Sequence, residues 1–114
     1  MSSAGEGKRL DPRLNKDFPL RYQVRGDKES YNAVSSNISC GGLSFTVHRF
    51  IPPDTNLMVE LGLPLKVVNS AAEVTWISPI AHSDRYRLGV KFMEANLKDK
   101  EYLTDYIDTH LRRF

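Results

Sequence analysis

The chain has a single cysteine, Cys40, in 114 residues. One cysteine excludes an internal disulfide and points to a reducing compartment. The three histidines, His48, His82 and His110, stand on separate segments with no cysteine or carboxylate at ligand spacing, so no metal site is expected. Long apolar runs are missing as well. No stretch has the length of a membrane span, and the N-terminus lacks the apolar core of a secretory signal. These absences lead to the expectation of a cytoplasmic protein without membrane insertion. There is no Gly-rich phosphate loop followed by Lys and Ser or Thr, and no Gly-x-Ser-x-Gly elbow around Ser39. No set of catalytic residues stands out, and a non-enzyme is expected.

What is present is ordinary in amount and uneven in distribution. At 40% hydrophobic and 26% charged, with a net charge of +2, the chain suits one domain with its own core. The basic residues bunch near the start. Lys8, Arg9, Arg13, Lys16, Arg21 and Arg25 outnumber Asp11 and Asp17 over that stretch. Such a surplus either meets an anion or forms a solvated basic tail. Residues 1–7 are small and polar and are expected to be a disordered tail. Pro12 biases Asp11 away from the helical region, so residues 8–17 read as a loop.

From residue 18 to 95 the pattern is that of strands. Leu20, Tyr22 and Val24 alternate with Arg21, Gln23 and Arg25. Tyr31 to Ser39 is a weaker extended segment. Leu43, Phe45 and Val47 alternate with Ser44, Thr46 and His48, and Leu57, Val59 and Leu61 with Met58 and Glu60. Ala72, Val74 and Trp76 form one more apolar face, and Tyr86, Leu88, Val90 and Phe92 the last. Six short strands at regular spacing predict an antiparallel barrel or sandwich. By this alternation Phe45, Trp76 and Phe92 are core residues, and Arg21 and Arg25 lie on the outer face of the first strand. Residues 96–114 change period. Asn96 can cap a helix, Asp99 falls in its first turn, and Tyr102, Leu103, Tyr106, Ile107, His110 and Leu111 recur at helical spacing. Arg112 and Arg113 suit the negative end of the helix dipole.

The stretch Asn37-Ile38-Ser39-Cys40-Gly41-Gly42 is the strongest candidate for function. On an extended backbone Asn37 and Ser39 share a face, and Gly42 lets backbone come close to a ligand. Arg9 and Arg13 bring forked guanidinium donors, which suit phosphates and the O6/N7 edge of guanine.

Arg9-Leu10-Asp11-Pro12-Arg13, followed by Asn37-Ile38-Ser39-Cys40-Gly41-Gly42, resembles the motif pair of the PilZ domain family. That family shows Arg-x-x-x-Arg before the first strand and Asp/Asn-x-Ser-x-x-Gly some two to three dozen residues later. Glu73-Val74-Thr75-Trp76 and Gly89-Val90-Lys91-Phe92 also look like its fifth and closing strands. The resemblance runs over residues 8 to 111. It implies an all-β fold with one C-terminal α-helix: a six-stranded antiparallel β-barrel at 18–95, a ligand loop at 8–17 and a helix at 96–114. It also implies a receptor for the bacterial second messenger cyclic di-GMP, acting as a ligand-switched adaptor toward a protein effector, in processes such as motility or biofilm regulation. The implied ligand-binding residues are Arg9, Arg13, Asn37, Ser39 and Gly42, with Lys8 where many relatives carry a further Arg. The loop would be mobile without ligand and fold over it. Asn37 departs from the commoner Asp and has one acceptor oxygen fewer to receive guanine N–H groups. Two other readings are carried forward. One is a degenerate family member that binds only a protein. The other is a small barrel for single-stranded nucleic acid, which would need exposed aromatics.

Overall fold

The computed structural model describes residues 13–95 and 97–111. The expectations that rest on Lys8, Arg9, Asn96, Arg112 and Arg113 lie outside them. The elements are β1 (Phe18–Val24), β2 (Tyr31–Ser36), β3 (Gly42–Val47), β4 (Asn56–Leu63), β5 (Lys66–Pro79), β6 (Tyr86–Ala95) and α1 (Leu97–Leu111). The strands close into a six-stranded antiparallel barrel in the order β1-β2-β3-β6-β5-β4. β1 pairs with β4 to complete the ring, as in Tyr22 opposite Val59. Among the described residues every strand therefore has a neighbour on each side, although β2 meets β3 at two positions only.

Alternation decides which side chains enter the barrel. Phe18, Leu20 and Tyr22 of β1 point in, as do Leu57, Val59, Leu61 and Leu63 of β4. Phe45 is fully buried at the centre, with its ring centroid 5.1 Å from that of Tyr22. Arg21 lies outside, as expected, but Arg25 falls in the turn that follows β1 rather than on the strand.

Two irregularities interrupt the pairing of β5 with β6. Ala72 faces Phe92 while Ala71 faces Glu94, and Val74 faces Val90 while Trp76 faces Gly89. The second leaves Thr75 as an extra residue. A one-residue insertion turns every later side chain to the other face. Val74 is therefore buried, Trp76 is 45% exposed, and Ile77 takes the inward place beside the core. The expectation that Trp76 is a core residue is corrected by this bulge. Phe92 is half-buried and packs on the core as expected.

α1 buries Leu103 and Ile107 against the barrel, and Tyr106 meets the Phe18 ring edge-on at 5.6 Å. Asp99 in its first turn accepts the Asn69 backbone N–H at 3.3 Å and pairs with Lys66 at 3.1 Å. These contacts fix the helix to the start of β5. No helix among the described residues is long and apolar enough to cross a membrane.

Candidate functional site

The link between β2 and β3 is built by a few local choices. Asn37 adopts a left-handed backbone with φ of 58°. Asparagine tolerates that region better than most residues. The turn sends Ile38 into the core, where it is fully buried, and exchanges two backbone hydrogen bonds with Leu14: N–H to O at 2.7 and 2.9 Å. Leu14 is itself buried. Part of the segment 8–17 is thus tied to the barrel through an apolar side chain, and not all of it is a free loop. The tether sets Arg13 beside Asn37, where its guanidinium donates to the Asn37 carbonyl at 2.9 Å.

Ser39 takes a different place from the one its spacing suggested. It is fully buried, whereas Asn37 is exposed. The left-handed turn at Asn37 breaks the extended geometry on which a shared face depends. The Ser39 hydroxyl accepts the Gly41 and Gly42 N–H groups, each at 3.2 Å, and its own N–H donates to the Gly42 carbonyl at 2.8 Å. Ser39 thereby closes the turn that presents Gly42.

Gly42 opens β3 opposite Lys91 of β6. A Cβ at Gly42 would stand 2.1 Å from the Val90 carbonyl oxygen, so only glycine lets the strands approach this closely. Further along the same seam, Ser44 faces Gly89, and Gly89 faces Trp76. The indole lies over Gly89, and a Cβ there would fall 2.1 Å from the indole Nε1. Glycine on the outer face of β6 is what lets the aromatic ring settle across the strand.

The result is a cavity of about 430 Å³ on the outside of the β3–β6 seam, lined among others by Arg13, Asn37, Gly42, Trp76, Gly89 and Lys91. Lys91 pairs with Glu73 at 3.5 Å. Arg87 donates to Ser36, and to Ser44 at 3.3 Å, bracing β6 against β2 and β3. The cavity offers a fork of guanidinium donors, a second cation, an amide and an aromatic face, on a floor stripped of side chains. It suits a flat, anionic ligand of nucleotide character. No group of three or more His, Cys, Asp or Glu side chains able to hold a metal occurs among the described residues.

Of the residues that the sequence singled out, Arg13, Asn37 and Gly42 line this cavity, Ser39 lies beneath it, and Lys8 and Arg9 fall outside the described residues. Trp76, Gly89 and Lys91 were missed. The signal for Trp76 was the pair Trp76-Ile77, since two large apolar neighbours on one strand cannot both point inward. For Gly89 it was a glycine at an outward position between buried Leu88 and Val90.

A second concavity, of about 500 Å³, opens on another part of the barrel beside Gln23, Arg25, Met58 and Met93. It is larger, but it lacks the clustered cations and the aromatic platform.

Comparison with known proteins agrees with this architecture. A family model described as PilZ domain matches residues 7–109. The inhibitor of motility MotI/DgrA of Bacillus subtilis superposes with a TM-score of 0.81 at 19% identity, covering 93% of this chain and 53% of that one. The MrkH–c-di-GMP complex of K. pneumonia gives 0.75 at 21%, covering 89% and 51%. The PilZ domain of YcgR from Escherichia coli, solved with c-di-GMP, gives 0.69 at 16%, covering 92% of each. The chain spans about half the length of the MotI and MrkH chains. No curated protein matches it.

Proposed function

We propose that this chain, which belongs to the PilZ domain family, is a receptor for cyclic di-GMP that binds its ligand on the β3–β6 seam. The observation that carries the reading is the convergence of Arg13, Asn37, Gly42 and Trp76 on one cavity. Neighbours of the same fold were solved with c-di-GMP, which supports the choice of ligand.

Each residue has a role that follows from its chemistry. Arg13 exchanges its bond to the Asn37 carbonyl for a charge-assisted bond to phosphate or to guanine O6/N7. Asn37 meets a guanine edge with its amide. Trp76 stacks a base. Gly42 admits the ligand close to backbone, and Ser39 acts through the turn that it holds. Arg9 and Lys8, which precede the Leu14 tether, add donors when the ligand is bound, and any ordering cost of their segment raises the threshold concentration. The chain then works as a cytoplasmic, non-enzymatic adaptor. Its ligand-altered surface engages or releases a protein effector.

The exposed Trp76 also gives single-stranded nucleic acid a stacking partner, so a titration has to discriminate. Calorimetry with cyclic di-GMP, GTP and a short single-stranded DNA is expected to show much tighter binding of cyclic di-GMP. Equal affinity for all three would overturn the assignment. Absence of nucleotide binding altogether would leave the protein-only adaptor.

A further inference from the structure

The outer surface diametrically across the barrel from the ligand cavity is the seam where β1 meets β4. Its side chains form rows that run across four strands. One row is apolar: Val34, Pro19, Gly62 and Val67, with Val34 57% and Val67 52% exposed. The Pro19 ring lies 3.3 Å from where a Cβ on Gly62 would stand, and the middle of the row is low, a shallow hollow of about 220 Å³ lined by Pro19, Arg21, Glu60, Gly62 and Val67. The next row is polar: Asn32, Arg21, Glu60 and Asn69. Arg21 and Glu60 pair at 3.1 Å and are both about half exposed. On the far side of the polar row, Gln23 stands opposite Met58.

These rows have a symmetry. Take a two-fold axis that runs along the strands between β1 and β4, and lay a second copy face to face. Each row then meets its own reverse. Arg21 lies opposite the partner's Glu60, and Glu60 opposite the partner's Arg21. Asn32 meets the partner's Asn69, and Val34 meets the partner's Val67. The charges alternate around a square of two cations and two anions, and the apolar rows cover each other. A two-fold interface has to be self-complementary in this way.

We infer that the β1–β4 face binds a second copy of this chain, as a two-fold dimer with a crossed Arg21–Glu60 square at its centre. Packed sheets keep their strands within about 30° of one another, so the central row stays in register while the outer positions diverge. The opposed geometry leaves both ligand cavities on the outside of the dimer, open to ligand and effector.

The test uses the full-length protein in sedimentation equilibrium at concentrations up to about 1 mM. Wild type is expected to show a concentration-dependent monomer–dimer equilibrium. R21E places two anions opposite each other in both halves of the square, and E60R places two cations there. Each variant alone is expected to be monomeric. Mixed in equal amounts they are expected to form a heterodimer, because the reversed side chain of one then faces the matching charge of the other. A monomeric wild type overturns the inference. So does a variant that dimerises like wild type, or a mixture that stays monomeric while wild type associates. A cyclic di-GMP titration of each variant keeps the two readings apart: the cavity lies on the other seam, so binding is expected to persist whatever the oligomeric state.

Discussion

The two opposed seams of the barrel are built from the same backbone ladder and present different surfaces. Along β3–β6, glycine stands at 42 and 89, side chains are cut away, and Trp76 lies across the gap. Along β1–β4, Pro19 leans over Gly62 and the charges of Arg21 and Glu60 are already paired. One seam is hollow with cations on its rim; the other has a shallower hollow of about 220 Å³ lined by charges that pair with each other. A closed barrel therefore acquires a ligand site by omitting side chains as much as by adding reactive ones. A cation is left available as a donor where, among the described residues, it holds only a backbone carbonyl, as Arg13 does.

The contrast can be broken most severely at Gly42. Gly42→Ala drives a methyl into the Val90 carbonyl at 2.1 Å. It is expected to cost about 1–3 kcal/mol of stability through overpacking and to abolish cyclic di-GMP binding. Thermal melting and calorimetry would show both, and retained binding would mean that the close approach of strands is not needed.

Arg13→Ala tests the rim. Loss of a charge-assisted bond of about 1.5–3 kcal/mol weakens binding by roughly ten- to over a hundredfold. The melting temperature should barely move, because the side chain is exposed and, among the described residues, bonds only a backbone carbonyl. An unchanged affinity would remove Arg13 from the site.

Trp76→Ala tests the platform. Base stacking contributes about 1–3 kcal/mol, so affinity should fall within that range. Stability should fall by less than the roughly 3–5 kcal/mol of a buried large-to-small change, since the ring is half exposed. A core-sized loss of stability with intact binding would put the indole back inside the barrel.

The smallest effect is expected on the β1–β4 seam. Arg21→Ala removes an exposed pair that contributes about 0–1 kcal/mol and lies far from the cavity, so ligand affinity should be unchanged. Arg25→Ala should act only through long-range charge and fade with salt. If Arg25→Ala abolished binding while Arg13→Ala did not, the ligand site would have to move to the end of β1.

Most of the fold was legible in the sequence, for a plain reason. Alternation of Leu57, Val59 and Leu61, or of Leu43, Phe45 and Val47, reports burial directly when one face of a strand is covered. The terminal helix announced itself through Leu103 and Ile107 in the same way. The site was legible only in part, because it depends on departures from the regular period. A left-handed Asn37 separated Asn37 from Ser39, and an extra Thr75 turned Trp76 outward. Only the second leaves a mark in a two-residue pattern, the adjacent pair Trp76-Ile77, and that mark does not say which of the two turns inward. Arg13 was singled out by residue type and lines the cavity, but its tether through Leu14 and Ile38 is a long-range pairing with no local signature.

The bulge at Thr75 makes β5 a strip that changes sides partway along its length. Up to Val74 its alternate residues line the interior; beyond it, Ile77 lines the interior and Trp76 faces out. The interior and the ligand cavity are thus two ends of one ribbon, kept in phase by a single residue. Straightening the bulge with Thr75 kept would exchange Trp76 and Ile77, forcing the indole toward a filled core and leaving an aliphatic side chain over Gly89, whereas deleting Thr75 removes only the extra residue and keeps Trp76 opposite Gly89 and Ile77 opposite Leu88. The outward place of Trp76 depends on a count of residues as well as on their kinds, and the Thr75 position should tolerate many substitutions.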